Sequence, residues 1–525
     1  MEGENLTSKA STLQSRFDRH SWWLVPVLLG ALFFVYGLFQ IGNYGVTWDE
    51  PLHRNWGKIF MVFWKTGDRS LLDLMPGHGI DYGPIYYALN YQLSQWLYGL
   101  RALRFVAANH VLNLFTASIA VGLTAVLGSM MSGQKRIGIL AAVLLMLYPQ
   151  FIAHAHYNPK DIPLMTAVLL TSIAFIAALR SGKPWRFALA AFLMGVGVAL
   201  KVSALLMAPV FGLAYTYWLM KDERSMHLRN VASQLYLFFP SALVLGLGTY
   251  IFWPDAWGDP LLIPKAIHFF TSASYWPGKV LYFGAEYGGA DLPWHYTPFE
   301  YFAATPAFIL VALGFGAFGF MRRFVSRRIS SEQAFLALWI AIPLLYTLKP
   351  GLVRYDGIRQ FFFVLPPILV VAAIVVSELF DALRTRFGTT AVAIGVLLLS
   401  VSLLHEVRVA HPFEGSYRNE VIRMAYPQGM DHVFEIEYWG PSYLQGMQWL
   451  IEHADPNPVI CVPTAGVLIE WYPWRSDFTF ECSKRATYVM FFTRYSEAGE
   501  FAKLREPVFT IRRMGAELLQ IYKIQ

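Results

Sequence analysis

Long uncharged apolar runs alternate with short basic clusters through residue 404 of this chain. A bilayer core about 30 Å thick needs roughly 17–25 apolar residues per helix. The runs at 22–41, 105–130, 137–153, 162–179, 187–200, 202–220, 231–252, 301–321, 333–348, 360–377 and 387–404 therefore predict about eleven membrane-spanning helices. Trp22-Trp23 opens the first run as an interfacial anchor. Its polar flank and the lack of a small-residue cleavage site predict an anchor and not a removable signal.

The basic clusters orient these spans. They fall at Lys9/Arg16/Arg19, Lys135/Arg136, Arg180/Lys183/Arg186, Lys221/Arg224/Arg229, Arg322/Arg323/Arg327/Arg328 and Arg384/Arg386. Placing all of them in the cytoplasm with the N-terminus requires an even number of crossings between successive clusters, and the spans above satisfy this at each step. The charge-free stretch 83–100 is long enough to cross, but a crossing there would turn every later cluster outward. It is therefore expected as an interfacial or re-entrant helix, which leaves Arg101 and Arg104 outside against the rule.

The outer face then collects a first loop at 42–104, a turn at 154–161, a long loop at 253–300, the segment 349–359 and everything after 405. A membrane domain at 1–404 is followed by an extracytoplasmic domain at 405–525 whose composition is that of a soluble α/β fold. Its helices are expected at 441–452 and 496–504, and its strands at 459–462, 486–492, 508–512 and 518–524. Cys461 and Cys482 both lie there, in a compartment where disulfides persist, and read either as a bridge or as two buried thiols.

Composition narrows the class. Hydrophobic residues are 56% of the 525 positions and charged residues 15%, against about 25% charge in soluble domains; this excludes a soluble enzyme and a disordered chain. The net charge of +7 is dispersed in clusters between apolar runs, so a nucleic-acid partner is not expected. Two cysteines cannot build a four-ligand zinc site.

Chemistry-bearing residues gather in the outer segments. Thr47-Trp48-Asp49-Glu50-Pro51 puts adjacent carboxylates at a membrane boundary, which is costly unless they are solvated or used. Asp49 reads as a helix N-cap with Glu50 and Pro51 in the first turn, or as a general base whose pKa an apolar setting raises. In His154-Ala155-His156-Tyr157-Asn158-Pro159-Lys160-Asp161, Asp161 suits a helix N-terminus. His154 and His156 could hold a metal only with a further ligand from elsewhere. Lys201 stands alone between two apolar runs, either snorkelling or forming an anion site. Arg354-Tyr355-Asp356-Gly357-Ile358-Arg359 offers exposed loop arginines or a bidentate grip on phosphate. Tyr82 and Glu286 are further candidates from the two long loops.

Together Asp49, Asp161, Lys201 and Arg359 place two acids and two cations on one face at one depth. A lipid-linked phosphate lies at that depth. Cations there hold the phosphate and stabilise its departure, and a carboxylate opposite takes the proton of an attacking hydroxyl. These are the needs of glycosyl transfer from a polyprenyl-phosphate sugar.

At these residues the chain resembles the GT-C glycosyltransferases, specifically the protein O-mannosyltransferase-like bacterial branch that includes the lipid A aminoarabinose transferases. The matching features are Asp49-Glu50 in the first outer loop, Asp161 after the third span, Lys201 at the end of the fifth, and Arg359 ahead of the Leu-Pro-rich helix at Pro366-Pro367. The likeness extends over most of 20–404, including Phe252-Trp253-Pro254 through Pro298. His411-Pro412-Phe413 and Tyr438-Trp439-Gly440-Pro441-Ser442-Tyr443 are similar to segments of uncharacterised bacterial members. Two departures stand out: Lys201-Val202-Ser203 replaces the family's Lys-Gly-Pro, and the large outer loop lacks room for the sugar-binding insert of eukaryotic protein mannosyltransferases.

The resemblance implies a polytopic α-helical GT-C-like fold in a bacterial plasma membrane and an inverting hexosyl- or pentosyltransferase working at the outer face. It implies catalytic carboxylates at Asp49, Glu50 and Asp161, donor-phosphate binding by Lys201, Arg359, Arg354 and Tyr355, and further cavity residues His154, His156, Tyr82 and Glu286. Expected partners are a polyprenyl-phosphate sugar, an acceptor on protein, lipid or glycan, and membrane lipid. No metal or other cofactor is expected; the alternative is a divalent ion, as used by the oligosaccharyl transferases of the superfamily. A transporter or flippase of a lipid-linked sugar is the rival reading, but it needs paired broken helices and charges near mid-membrane. A third is an assembly factor that binds through its C-terminal domain.

Overall fold

The structure, a computed structural model, describes residues 23–74, 82–221, 231–259, 261–269, 276–495, 499–504 and 506–524. It begins with α1 (Trp23–Asn43), α2 (Glu50–Thr66), α3 (Ile85–Gly99), α4 (Phe105–Ser132), α5 (Lys135–Met146) and α6 (Pro149–Tyr157). Next come α7 (Asp161–Ser181), α8 (Pro184–Leu200), α9 (Met207–Lys221), α10 (Val231–Phe252) and α11 (Leu262–His268). A hairpin of β1 (Lys279–Tyr282) and β2 (Ala285–Gly288) leads to α12 (Tyr296–Ala304), α13 (Ala307–Val325), α14 (Ser331–Tyr346) and α15 (Leu365–Ala410). The C-terminal part holds α16 (Glu420–Ala425), α17 (Tyr443–His453) and the strands β3 (Val459–Cys461), β4 (Thr479–Phe480), β5 (Tyr488–Phe492), β6 (Phe509–Arg513) and β7 (Ala516–Lys523).

Seven of the described helices are long and apolar enough to cross a membrane, or eight if α5 and α6 form one broken span. α8 and α14 are apolar but shorter. The expected apolar runs fall on helix, with three interruptions that have local causes. The run at 137–153 bends by 69°, because Pro149 has no N–H to donate and forces Tyr148 into extended backbone. The run at 301–321 is two helices, α12 and α13, parted at Thr305-Pro306. The last two runs form one 46-residue helix broken at Gly388, whose φ of 82° and ψ of −177° suit only glycine. The stretch at 83–100 becomes α3, 15 residues long and packed against α2 and α4.

The C-terminal sheet has the order β4-β3-β5-β7-β6, with β3 parallel to both neighbours and β7 antiparallel to β5 and β6. The central strand β5, Tyr-Val-Met-Phe-Phe, is buried at every position; a strand covered on both faces reads as a continuous apolar run. The expected helix at 496–504 is corrected to a short 3-10 turn at Gly499–Lys503, and 496–498 lie outside the described residues. Cys461 and Cys482 are bridged, which ties β3 to the segment after β4.

This sheet shares its core with the preceding chain. Val46, Val280, Tyr282 and Tyr296 belong to the same apolar cluster as Tyr443, Met490 and Leu519. Each fully buried side chain of this size contributes about 1.5–3 kcal/mol. The backbone is also locked across the junction: Val46 N–H donates to the Tyr472 hydroxyl at 2.8 Å, and Trp48 N–H to the Trp439 carbonyl at 2.8 Å. Gly45 passes so close to the Pro441 carbonyl that a Cβ would collide with it. The segment leading into α2 is therefore set by the C-terminal domain.

Candidate active site

Asp49 precedes α2 but does not cap it: its side chain makes no capping bond. Its Oδ2 instead accepts from Lys160 Nζ at 2.7 Å. Burial alone would raise the Asp49 carboxyl, but the charges of Lys160 and Arg359 outweigh it and hold the group below the usual carboxylate range. This reverses the sequence expectation of a raised pKa. One turn on, His53 is buried and stacked on Tyr87 at 4.6 Å. Burial and then Lys160 push its imidazole down to about 3, so it is neutral.

The second acid is placed by an Asx turn. Asn158 Oδ1 accepts from the main-chain N–H of Lys160 and of Asp161 at 3.2 and 3.0 Å, which starts α7. Asp161 Oδ1 then accepts from Lys201 Nζ at 2.7 Å. Lys201 leaves the end of α8 in extended backbone, with φ of −163°, and its side chain is buried. Arg359 stands 3.6 Å from Asp161 Oδ2 and donates from Nη2 and Nε to Asp356 Oδ2 at 2.7 and 3.2 Å. Its guanidinium lies over the rings of Trp439 at 4.4 Å and Tyr355 at 5.0 Å.

A cavity of about 410 Å³ opens over this network. Asp49, His53, Lys160, Lys201, Asp356, Arg359 and Arg494 line it among the aromatic side chains of Trp48, Trp56, Tyr82, Trp276, Tyr355 and Trp439. Asp161 lies one layer behind, bonded to two of the lining cations. Asp49, Asp161, Lys201 and Arg359 thus come together, as do Tyr82 and Tyr355.

Other candidates lie elsewhere. Glu50 turns back on its own loop: Oε2 accepts from Thr47 N–H and Oγ1 at 2.6 and 2.9 Å, and Oε1 faces His110 Nε2 at 3.0 Å. It does not line the cavity. Arg354 donates only to main-chain carbonyls, those of Leu292, Pro293, Thr347 and Leu352; it braces the loop and is not a cavity residue. Glu286 is at the surface, paired with Lys279 at 3.1 Å. His154 contacts Asn158 and the Tyr438 hydroxyl, while His156 stacks on Tyr44 at 3.9 Å; neither lines the cavity. Among the described residues no three His, Cys, Asp or Glu side chains are grouped to hold a metal ion.

Sequence reasoning missed Lys160, His53, Asp356, Arg494 and Trp439. Lys160 carried a signal, since a cation at the positive end of a helix is disfavoured and such a local conflict marks a used residue. Arg494 had only its place, two residues after the end of a wholly apolar strand.

No protein-family model and no curated protein sequence matches the chain. Among solved structures, ArnT from Cupriavidus metallidurans bound to undecaprenyl phosphate aligns with a TM-score of 0.50 and 12% identity, over 94% of this chain and 97% of that one. The Archaeoglobus fulgidus oligosaccharyltransferase in its apo form aligns with a TM-score of 0.50 and 12% identity, over 92% of this chain and 71% of that one. Identity this low shows the fold alone: the chain shares its architecture with these two membrane proteins over nearly its whole length.

Proposed function

We propose that the chain is an inverting glycosyltransferase that moves one sugar from a polyprenyl phosphate to an acceptor hydroxyl at the outer face of the membrane. The observation that carries this reading is the pairing of an ionised carboxylate, Asp49, with a cation cluster around a single aromatic-lined cavity. Lys160 holds Asp49 Oδ2, which leaves Oδ1 to receive a proton. As the acceptor oxygen bonds to the anomeric carbon, its proton passes to Asp49. The bond from that carbon to the phosphate oxygen breaks, and polyprenyl phosphate leaves with the electron pair. The low pKa of Asp49 means that it takes the proton only as the new bond forms.

Charge supports a single phosphate. The cations Lys160, Lys201, Arg359 and Arg494 face the carboxylates Asp49, Asp161 and Asp356, so the site has one net positive charge. A phosphodiester-linked sugar carries one negative charge and matches it. The departing monophosphate gains charge, up to about −2, so the site favours the leaving group over the bound donor, which is the sense needed for catalysis. Aromatic walls suit the apolar faces of a sugar ring. Undecaprenyl phosphate bound to ArnT, in the same fold, supports the lipid class of the donor. The Cys461–Cys482 bridge supports an oxidising compartment for the C-terminal domain.

A carrier of the same lipid would need charges near mid-membrane, whereas these sit at the ends of α7 and α8 and in loops. Purified protein in detergent, supplied with undecaprenyl-phosphate sugars and hydroxyl acceptors, separates the two. Release of undecaprenyl phosphate with sugar transfer supports the enzyme; binding without any chemistry across the donor panel rejects it.

A further inference from the structure

The C-terminal domain reaches into the cavity through one side chain. Arg494 follows β5 and is buried to 2% exposure. Its Nη1 donates to the Tyr438 carbonyl at 2.9 Å and stands 3.3 Å from Asp356 Oδ1. Its guanidinium lies over the Trp276 ring at 5.1 Å. The other oxygen of Asp356 accepts both bonds from Arg359. Asp356 is thus clamped between two guanidiniums from different parts of the fold. It sits in left-handed backbone, φ 55°, ahead of Gly357, in a turn whose only charged anchor across the junction is Arg494 among the described residues.

We infer that Arg494 is a positioning residue for the donor-phosphate site: through Asp356 it fixes the guanidinium of Arg359, so the C-terminal domain is a working part of the active site. This rests on the glycosyl-transfer reading above. Arg494 Nη1 reaches both Asp356 and the Tyr438 carbonyl, while Nη2 points to the Lys279 carbonyl at 3.5 Å and the guanidinium plane covers Trp276, a set of contacts that lysine does not reproduce. A domain that only capped the protein would not need a buried arginine against a carboxylate of the membrane part. The same domain also supplies Trp439 beneath Arg359, so it touches that guanidinium at one face directly and at its nitrogen edge through Asp356.

The test is the dissociation constant of undecaprenyl phosphate for the full-length protein in detergent. Arg494→Gln is expected to weaken binding at least tenfold and Arg494→Lys about threefold, since lysine keeps the charge and loses the Nη2 contact and the planar cover of Trp276. Asp356→Asn decides between positioning and simple charge. Removing an anion would tighten phosphate binding if only charge mattered, whereas loss of the clamp weakens it. The double variant should then bind no worse than Asp356→Asn alone. Arg485→Gln, at an exposed site in the same domain, should bind as the wild type does. Unchanged binding in Arg494→Gln and Arg494→Lys, or tighter binding in Asp356→Asn, would overturn the inference. Wild-type binding without sugar transfer would reject the glycosyl-transfer reading and leave the positioning role standing; no wild-type binding would reject both.

Discussion

Asp49 Oδ2 accepts a hydrogen bond from Lys160 Nζ at 2.7 Å, although 111 residues separate them. Asp161, next to Lys160 in the chain, pairs instead with Lys201 at 2.7 Å. Adjacent residues at the start of α7 therefore serve two different charge pairs, one within the cavity and one that joins the lining Lys201 to the carboxylate behind it. Lys160 is the only direct cationic partner of Asp49 among the described residues, and this sets what its removal does.

Lys160→Met should raise the Asp49 pKa, because the burial penalty would remain while its strongest opposing charge is lost. The ionised form is the active base, so the acid limb of the kcat/KM profile should move to higher pH, by about 1–2 units. An acid limb that stays in place would show that Lys160 does not tune Asp49.

Glu50 adjoins Asp49, yet its role is structural. Glu50→Gln removes charge-assisted bonds to Thr47 and the facing His110, a loss of about 1–3 kcal/mol. The thermal midpoint in detergent should fall while kcat stays within about threefold of wild type. A hundredfold loss of kcat with an unchanged midpoint would return Glu50 to the catalytic set.

Glu437 provides a pH signature for the C-terminal domain. Burial raises its carboxyl from 4.5 to about 7, even though it accepts main-chain bonds from Trp439 and Gly440. A raised folded pKa means that the folded form binds the extra proton. Its contribution is present below the unfolded pKa and is lost as pH rises from 4.5 through 7, by on the order of 3 kcal/mol. Glu437→Gln, which stays neutral and can still accept those bonds, should raise the thermal midpoint at pH 8 and change little at pH 4. Equal effects at both values would contradict this.

The Cys461–Cys482 bridge closes a 21-residue separation, worth about 3 kcal/mol on the chain-entropy treatment. Replacing both cysteines with serine should lower the thermal midpoint of the C-terminal domain, and reductant should then have no further effect. An unchanged midpoint would count against the bridge.

The parts of the site legible in the sequence are those where a charge interrupts an apolar run. Lys201 and Asp161 stand out because nothing apolar explains them, and Arg359 because it precedes a proline-bearing helix. Which neighbour of a pair faces the cavity was not legible. Asp49 and Glu50 are consecutive, and the way α2 is rotated, set by Gly45 and Tyr472 contacts from outside the local sequence, sends one into the cavity and the other onto Thr47. Arg494 reaches Asp356 across 138 residues, and no periodicity encodes such a pairing. The bend before Pro149 was within reach of the proline rule, but the unbroken apolar run at 137–153 hid it.

The most direct test of the central claim is single-turnover transfer from an undecaprenyl-phosphate sugar by Asp49→Asn, measured beside its affinity for undecaprenyl phosphate. The account predicts that transfer falls by at least a hundredfold while the lipid phosphate binds at least as tightly as in wild type and the protein stays folded. Transfer at the wild-type rate would contradict it.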